Sequence, residues 1–373
     1  MDFLFSTIQP ALAFLIILTV LVFVHEWGHY IVARLCGVKV EVFSIGFGPE
    51  ITGFYDRHGT RWKVSWIPLG GYVKFFGDAT ESSAPSQELL AMNEEEKKVS
   101  FHHKNLLQKS AIVFAGPAIN FIFAILIFSG MLISYGKLVY EPVVGEVIAE
   151  GAAEKAGIMP GDRIIEIDGS PVTAFRDISK HLALKVDDKV SLIVTRNGQN
   201  LTLNFPLKTV EIKNFLGEDK KIYQIGIRNN PEERKILHFG VFGAIWEASG
   251  EIKDLTYANL MGLGQIIMGD RSAKELGGPI AIARVAGKAA EFGLIEFLNI
   301  MAMVSMGLGL INLFPIPMLD GGHLLYYAIE AVRRKKMSLK AQEIGFKIGA
   351  AVVLSLMVFV FYNDISAIIN LVG

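Results

Sequence analysis

At 373 residues the chain is long enough to hold two or three domains. Hydrophobic residues make up 51% of it and the mean hydropathy is +0.41, more than a soluble fold needs, so the composition points to an integral membrane protein. The formal net charge of −1 argues against a nucleic-acid partner, and the single cysteine, Cys36, excludes an internal disulfide and a thiolate zinc cage.

The first predicted element is a membrane-spanning helix within residues 1–35, built on the apolar run Ala11–Val24. His25-Glu26-Trp27-Gly28-His29 stands at the end of that run. Two imidazoles four residues apart fall on one helix face, where both can bind one zinc, and the intervening Glu26 can act on a water at the metal. Ionisable groups at this depth are expensive and usually functional. No Lys or Arg precedes Arg34 and no small-residue cleavage site follows the run, so it reads as a retained span rather than a secretory signal. Arg34 and Lys39 follow the helix, which by the positive-inside rule puts Met1 outside and the helix end in the cytoplasm.

Residues 36–105 form a cytoplasmic-side loop. Within it, Lys63–Gly77 reads as a hairpin of two apolar strands around a turn at Pro68-Leu69-Gly70-Gly71. The hairpin is too short to span and too apolar for water, so a re-entrant element beside the metal is expected, with a peripheral hairpin on the membrane surface as the alternative. Gly70 and Gly71 leave room for a second backbone to approach, which makes them candidate substrate-binding positions. Ser82–Lys98 is polar and acidic and reads as a mobile connection.

Residues 106–134 supply a second span. From 140 to 230 the composition turns soluble, with strands expected near Val190–Arg196 and Leu201–Leu207 and a helix near Phe175–Leu184. The segment Gly151–Gly169 resembles the PDZ signature of bacterial protease-associated domains, which implies an extended peptide or protein ligand bound by strand addition. Residues 231–297, moderately apolar and broken by glycines, read as amphipathic helices on the outer membrane surface. Residues 298–332 give a third span and 342–370 a fourth. Lys39–Lys109 and Arg333-Arg334-Lys335-Lys336 both come out cytoplasmic, leaving both termini and the 140–230 domain outside. The expected fold is therefore an α-helical polytopic membrane protein with four transmembrane helices, a re-entrant β-hairpin and one inserted extracytoplasmic PDZ domain.

Catalytic zinc takes three protein ligands and keeps a fourth position open. A histidine six residues beyond His29 would serve, but Leu35 stands there. Glu50 has the spacing of a more distant glutamate but follows the turn-like Gly46-Phe47-Gly48-Pro49. Asp320 is the better candidate. It closes the segment Asn312-Leu313-Phe314-Pro315-Ile316-Pro317-Met318-Leu319-Asp320-Gly321-Gly322, where two prolines break the third span and freed polar groups must face protein or a cavity. His25 lies roughly 22 Å into the first span from outside, and Asp320 approaches the same cytoplasmic side. The competing reading of Asp320 is an N-cap for a helix at Gly322–Ala331. His58, His102, His103, His181, His238 and His323 fit no ligand pattern and read as surface or packing residues.

These features together resemble the site-2 protease family of intramembrane zinc metalloproteases, and the order of segments is most similar to its bacterial RseP-like branch. Nearly the whole chain is covered, including Gly116-Pro117-Ala118-Ile119-Asn120 in the second span. One departure is that only one PDZ domain is read here, where RseP carries two in tandem. The resemblance implies one Zn2+ held by His25, His29 and Asp320, Glu26 as general base, and Asn312 bonded to the substrate backbone or the developing oxyanion, a helix–helix hydrogen bond being the alternative for Asn312. It further implies cleavage of single-span membrane proteins inside the lipid bilayer of a bacterial inner membrane. Such regulated intramembrane proteolysis would act on an anti-sigma factor or on remnant signal peptides, with the active site toward the cytoplasm. A non-enzymatic PDZ-containing membrane adaptor would have no reason to keep Glu26 between two histidines, and a zinc transporter is disfavoured by four spans with no inverted repeat.

Overall fold

The computed structural model describes residues 2–78, 92–213 and 219–372. In chain order it contains helix α1 (Asp2–Leu35), strands β1 (Val40–Tyr55) and β2 (Arg61–Phe75), and helices α2 (Glu94–Val99) and α3 (Leu106–Tyr135). Strands β3 (Lys137–Tyr140) and β4 (Val144–Val147), helix α4 (Ala152–Lys155), strands β5 (Arg163–Ile167) and β6 (Ser170–Pro171) and helix α5 (Phe175–Ala183) follow. Then come β7 (Lys189–Arg196), β8 (Gln199–Pro206), β9 (Lys208–Lys213), β10 (Asp219–Gln224), β11 (Ile227–Asn229) and β12 (Arg234–Leu237). The chain ends in helices α6 (Val241–Met268), α7 (Pro279–Phe292), α8 (Leu294–Asn312), α9 (Asp320–Arg333) and α10 (Leu339–Val372).

Four helices among the described residues are long and apolar enough to cross a membrane: Ile8–Leu35, Leu106–Tyr135, Leu294–Asn312 and Lys340–Ile369. The chain divides into two compact units, one of residues 1–128 and 277–365, the other of residues 129–276 and 366–373. Most of the Ser82–Lys98 connection lies outside the described residues, apart from the capped turn of α2.

In the first unit, Ala13, Ile17 and Leu21 of α1 are buried with Ala286 of α7 and Met301 of α8. Side chains four apart on one face of α1 make that contact, as a period near 3.6 residues allows. Gly287 of α7 allows it, because a Cβ there would lie 2.7 Å from Pro10. The other end of α1 is sealed by Tyr30 and Ala33, which are buried with Phe43, Val73, Phe75, Phe101 and Ile112. Helix α10 is tied at two places. A Cβ on Gly345 or Gly349 would run into Tyr326 Oη and Pro317 O, so the helix backbone lies directly on the 317–326 segment. Near its far end the buried carboxylate of Asp364 accepts from Gly278 N (2.8 Å), Ile280 N (2.9 Å) and Ala281 N (3.2 Å), placing negative charge at the N-terminus of α7.

The expected hairpin turn at Pro68–Gly71 is incorrect. The turn lies at Asp56–Thr60, where Gly59 N donates to Asp56 O at 3.1 Å, and β2 runs on through Pro68–Gly71 while changing partner. The first half of β1 is flanked twice: Phe43 faces Val73 on one side and Trp62 on the other, and Ser44 faces both Tyr72 and Lys63. Gly70, at φ +129°, makes the partner change possible, since a Cβ there would meet the Phe47 ring at 2.5 Å.

In the second unit, β6-β5-β7-β8 form a four-stranded antiparallel sheet, with β4 paired to β11, β9 to β10 and β3 to β12. Ile164, Ile167, Leu192 and Val194 point from the sheet into a core closed by Ala153 of α4 and Ile178 of α5. Strand β12 occupies Arg234–Leu237, so the helical region read for 231–297 begins only at Val241.

Candidate metal centre

His25 and His29 sit one turn apart on α1, and their Nε2 atoms are 3.3 Å from each other. Asp320 brings its Oδ2 to 3.2 Å from His25 Nε2 and 3.5 Å from His29 Nε2. Among the described residues that buried oxygen has no assigned hydrogen-bond partner. Ligand atoms about 2.0–2.1 Å from a tetrahedral zinc lie about 3.3–3.4 Å apart, so the three sides of this triangle match one face of a zinc tetrahedron. Three electron-pair donors held this close repel one another unless a proton or a metal cation stands between them. The fit to Zn2+ therefore rests on the spacing and on the orphaned carboxylate oxygen. Glu50 is not part of the cluster: it forms an ion pair with Arg61 in the β-sheet.

Each corner of the triangle is placed by backbone features that the local sequence dictates. Asp320 is the first residue of α9, whose N-cap is Leu319, so the N-cap reading of Asp320 is excluded. The chain between α8 and α9 folds back tightly, and Gly321 and Gly322 are required there because a Cβ on either would strike the carbonyls of Leu313, Phe314 and Ile316. Met318 is held at φ +116°, an uncommon conformation for a side-chain-bearing residue, two positions from the carboxylate.

Helix α3 supplies the rest of the setting. A Cβ on Gly116 would overlap the His29 imidazole and lie 2.9 Å from His25 Cε1, so this glycine is the floor on which both rings rest. Gly28 meets the same helix from the other side, where its Cβ would strike Ala115 O. His29 Nδ1 lies 2.9 Å from Ile112 O, which accepts its hydrogen and leaves Nε2 free as a ligand. Asn120, fully buried, places its amide 3.1 Å from His25 Nδ1. Neither Ile112 nor Asn120 was singled out as a partner of the histidines by sequence reasoning. The signal that could have found Asn120 is its four-residue spacing from Gly116, which sets both on one face of α3.

Glu26 borders β2, with the backbone N–H of Val73 within its reach and the would-be Cβ of Gly71 3.2 Å from Glu26 Cγ. That same Cβ would lie 2.6 Å from Ser44 O and 2.7 Å from Val22 Cγ1. The missing side chain of Gly71 thus lets β2 lie against α1, which accounts for this glycine without a ligand. Asn312 ends α8, and its side chain makes no hydrogen bond among the described residues. Of the remaining histidines, His102 pairs with Asp78 (2.8 Å) and His181 with Asp168 (2.9 Å), and neither belongs to the cluster.

Residues 13–356 match the profile of Peptidase family M50. A protein of Mesorhizobium japonicum named "putative zinc metalloprotease" is 44% identical over 356 residues, covering 94% of this chain and 97% of its own. A Rhizobium meliloti protein of the same printed description is 40% identical over 98% of this chain and 99% of its own. Metalloprotease MmpA of Caulobacter vibrioides is 37% identical over 94% of each chain.

Proposed function

We propose that this chain, which belongs to peptidase family M50 and is a zinc metalloprotease of the membrane, cuts peptide bonds within the membrane-spanning segments of single-span membrane proteins. The observation that carries this reading is the position of the His25–His29–Asp320 triangle: two of its corners lie on a helix apolar enough to cross a bilayer, and the third lies in the segment that follows another such helix, Leu294–Asn312. Zinc held by His25, His29 and Asp320 would supply a Lewis acid for the scissile carbonyl and would make water acidic enough to attack near neutral pH. Glu26, on the same helix between the two histidines, takes the proton from the attacking water and delivers it to the leaving amine. Asn312, with its amide uncommitted, donates to the substrate carbonyl.

A helical substrate hides its peptide bonds and must unwind before attack. In the β-sheet, Gly71–Lys74 pair on one side with Val42–Ile45, and their other edge pairs with no strand among the described residues. That edge borders Glu26. An unwound segment added there as a strand has its backbone groups satisfied inside the membrane, with the scissile bond beside the base. The exposed side chains of Ile51, Phe54, Trp66 and Ile67 on the same sheet support a re-entrant or interfacial location for it.

The β-rich region of the second unit supports a single PDZ domain spanning 140–230, with a peptide or protein ligand. The basic loops support its side of the membrane in this reading: both termini and this domain outside, the metal centre toward the cytoplasm of a bacterial inner membrane. The experiment that tests the reading compares membrane proteomes of cells carrying the native chain or Glu26→Gln. A single-span protein trimmed within its span should accumulate only in the mutant as its uncut precursor. Identical proteomes would reject the proposal.

A further inference from the structure

We infer that Asn120 is a positioning residue of the zinc centre: its amide oxygen accepts the Nδ1 hydrogen of His25 and so commits Nε2 of that ring to the metal. The inference rests on the ligand set of His25, His29 and Asp320 given above.

A neutral imidazole carries one hydrogen, and a ring that binds metal through Nε2 must carry it on Nδ1. That hydrogen needs an acceptor, and at a buried site the acceptor cannot be bulk water. His29 meets the requirement with a backbone group, Ile112 O at 2.9 Å. Among the described residues His25 has no carbonyl in that role. The group facing its Nδ1 is the Asn120 amide, 3.1 Å away on a residue with no exposed surface.

The structure places Nδ2 of that amide toward Nδ1, while Oδ1 is buried and has no partner among the described residues. Donation from Nδ2 would force the imidazole hydrogen onto Nε2, the atom that points at His29 and Asp320, and would close it to a cation. A half-turn of the amide exchanges its two ends. The orphaned Oδ1 then accepts from Nδ1, and Nε2 is opened to zinc. The backbone of Asn120 is itself fixed, since Ser305 Oγ of α8 donates to Asn120 O at 2.9 Å, so the amide is delivered to one place. Two histidines of one centre thus take their acceptors from one helix, one from its backbone and one from a side chain.

The test uses the purified full-length protein in detergent and measures zinc affinity by competition with a chelator. The variants are Asn120→Leu, Asn120→Asp and, as a control on the ligand set, His25→Ala. Asp has nearly the shape of Asn but, ionised, only accepts. We expect Asn120→Leu to bind zinc roughly 10- to 100-fold more weakly and Asn120→Asp to bind at least as tightly as the native chain. The visible spectrum of the cobalt-loaded protein should likewise be kept by Asn120→Asp. Native affinity in a folded Asn120→Leu, or a tenfold or greater loss in Asn120→Asp, overturns the inference. If Asn120→Leu does not fold, the Asp variant decides alone, because it separates an accepting from a donating amide. Full zinc retention by His25→Ala would instead remove the ligand set beneath it.

Discussion

In the proposed zinc centre His25, His29 and Asp320 act as a set, because no two of them would complete a zinc site and the third comes from a distant part of the chain. Replacing any one by Ala should abolish tight zinc binding, since two ligands remain where catalytic zinc needs three. Glu50→Ala should leave zinc content at about one per chain, because Glu50 is committed to Arg61 in the β-sheet. Glu26→Gln should also keep the metal, as it removes a base and no ligand. Metal analysis of the purified variants checks all of these at once. Asp320→Ala with full zinc, or Glu50→Ala without it, would displace Asp320 as the third ligand. At this scale the meeting of these three side chains was legible. Spacing of four placed the two histidines on one face, and two prolines flagged the Asp320 segment as one that must face something polar. Asn120 was not legible as a partner, because an amide in an apolar helix reads equally as a helix–helix hydrogen bond. Only the position of His25 Nδ1 tells the two apart.

At the scale of elements, the β-sheet shows where sequence signals mislead. Pro68, Gly70 and Gly71 are strong turn residues, yet the chain turns at Asp56-Arg57-His58-Gly59, a sequence with Asp first and Gly fourth as a type I turn prefers. The glycines serve close approach instead, to Phe47 and to α1. Gly71→Val is consequently no clean probe of substrate binding, because its side chain would strike Val22 and Ser44 before meeting any ligand. Asp56 is the residue that ties the turn to α1. Its Oδ1 accepts from His58 N (2.8 Å) and Thr60 N (2.9 Å), and its Oδ2 from Tyr30 Oη (2.8 Å) and Trp62 Nε1 (3.0 Å). Burial pushes the Asp56 carboxyl up, but the four donors outweigh it and hold it well below the usual carboxylate range. A carboxylate with a depressed folded value stabilises the fold above its unfolded value, and that contribution is lost as pH falls through the folded one. Acidification below about 4 should therefore loosen the β-sheet from α1 in the native chain. Asn in place of Asp56 should be less stable at neutral pH and should lose less on acidification. Hydrogen exchange of residues 56–62 measures this. A native turn no more protected than that of Asp56→Asn at neutral pH would contradict it.

For the whole molecule, length and hydropathy sufficed to find the four helices that, among the described residues, are long and apolar enough to cross a bilayer, because about 20 consecutive apolar residues are a signal of that length. The β-rich unit was less legible in its edges: β12 extends past 230 to pair with β3, a long-range pairing with no local signature. Orientation is the property the basic loops should fix. Reporters fused near Gly169 should register outside the cytoplasm and those near Lys63 or Arg334 inside it. A cytoplasmic Gly169 would invert the arrangement and place the metal centre on the other side. The most direct test of the central claim is to reconstitute the purified, zinc-loaded protein in liposomes with a single-span protein and to map the cut by mass spectrometry. The account predicts cleavage at a bond within the apolar span, lost in Glu26→Gln at unchanged zinc content. Cleavage confined to the soluble parts of the substrate, or an undiminished rate in Glu26→Gln, would contradict it.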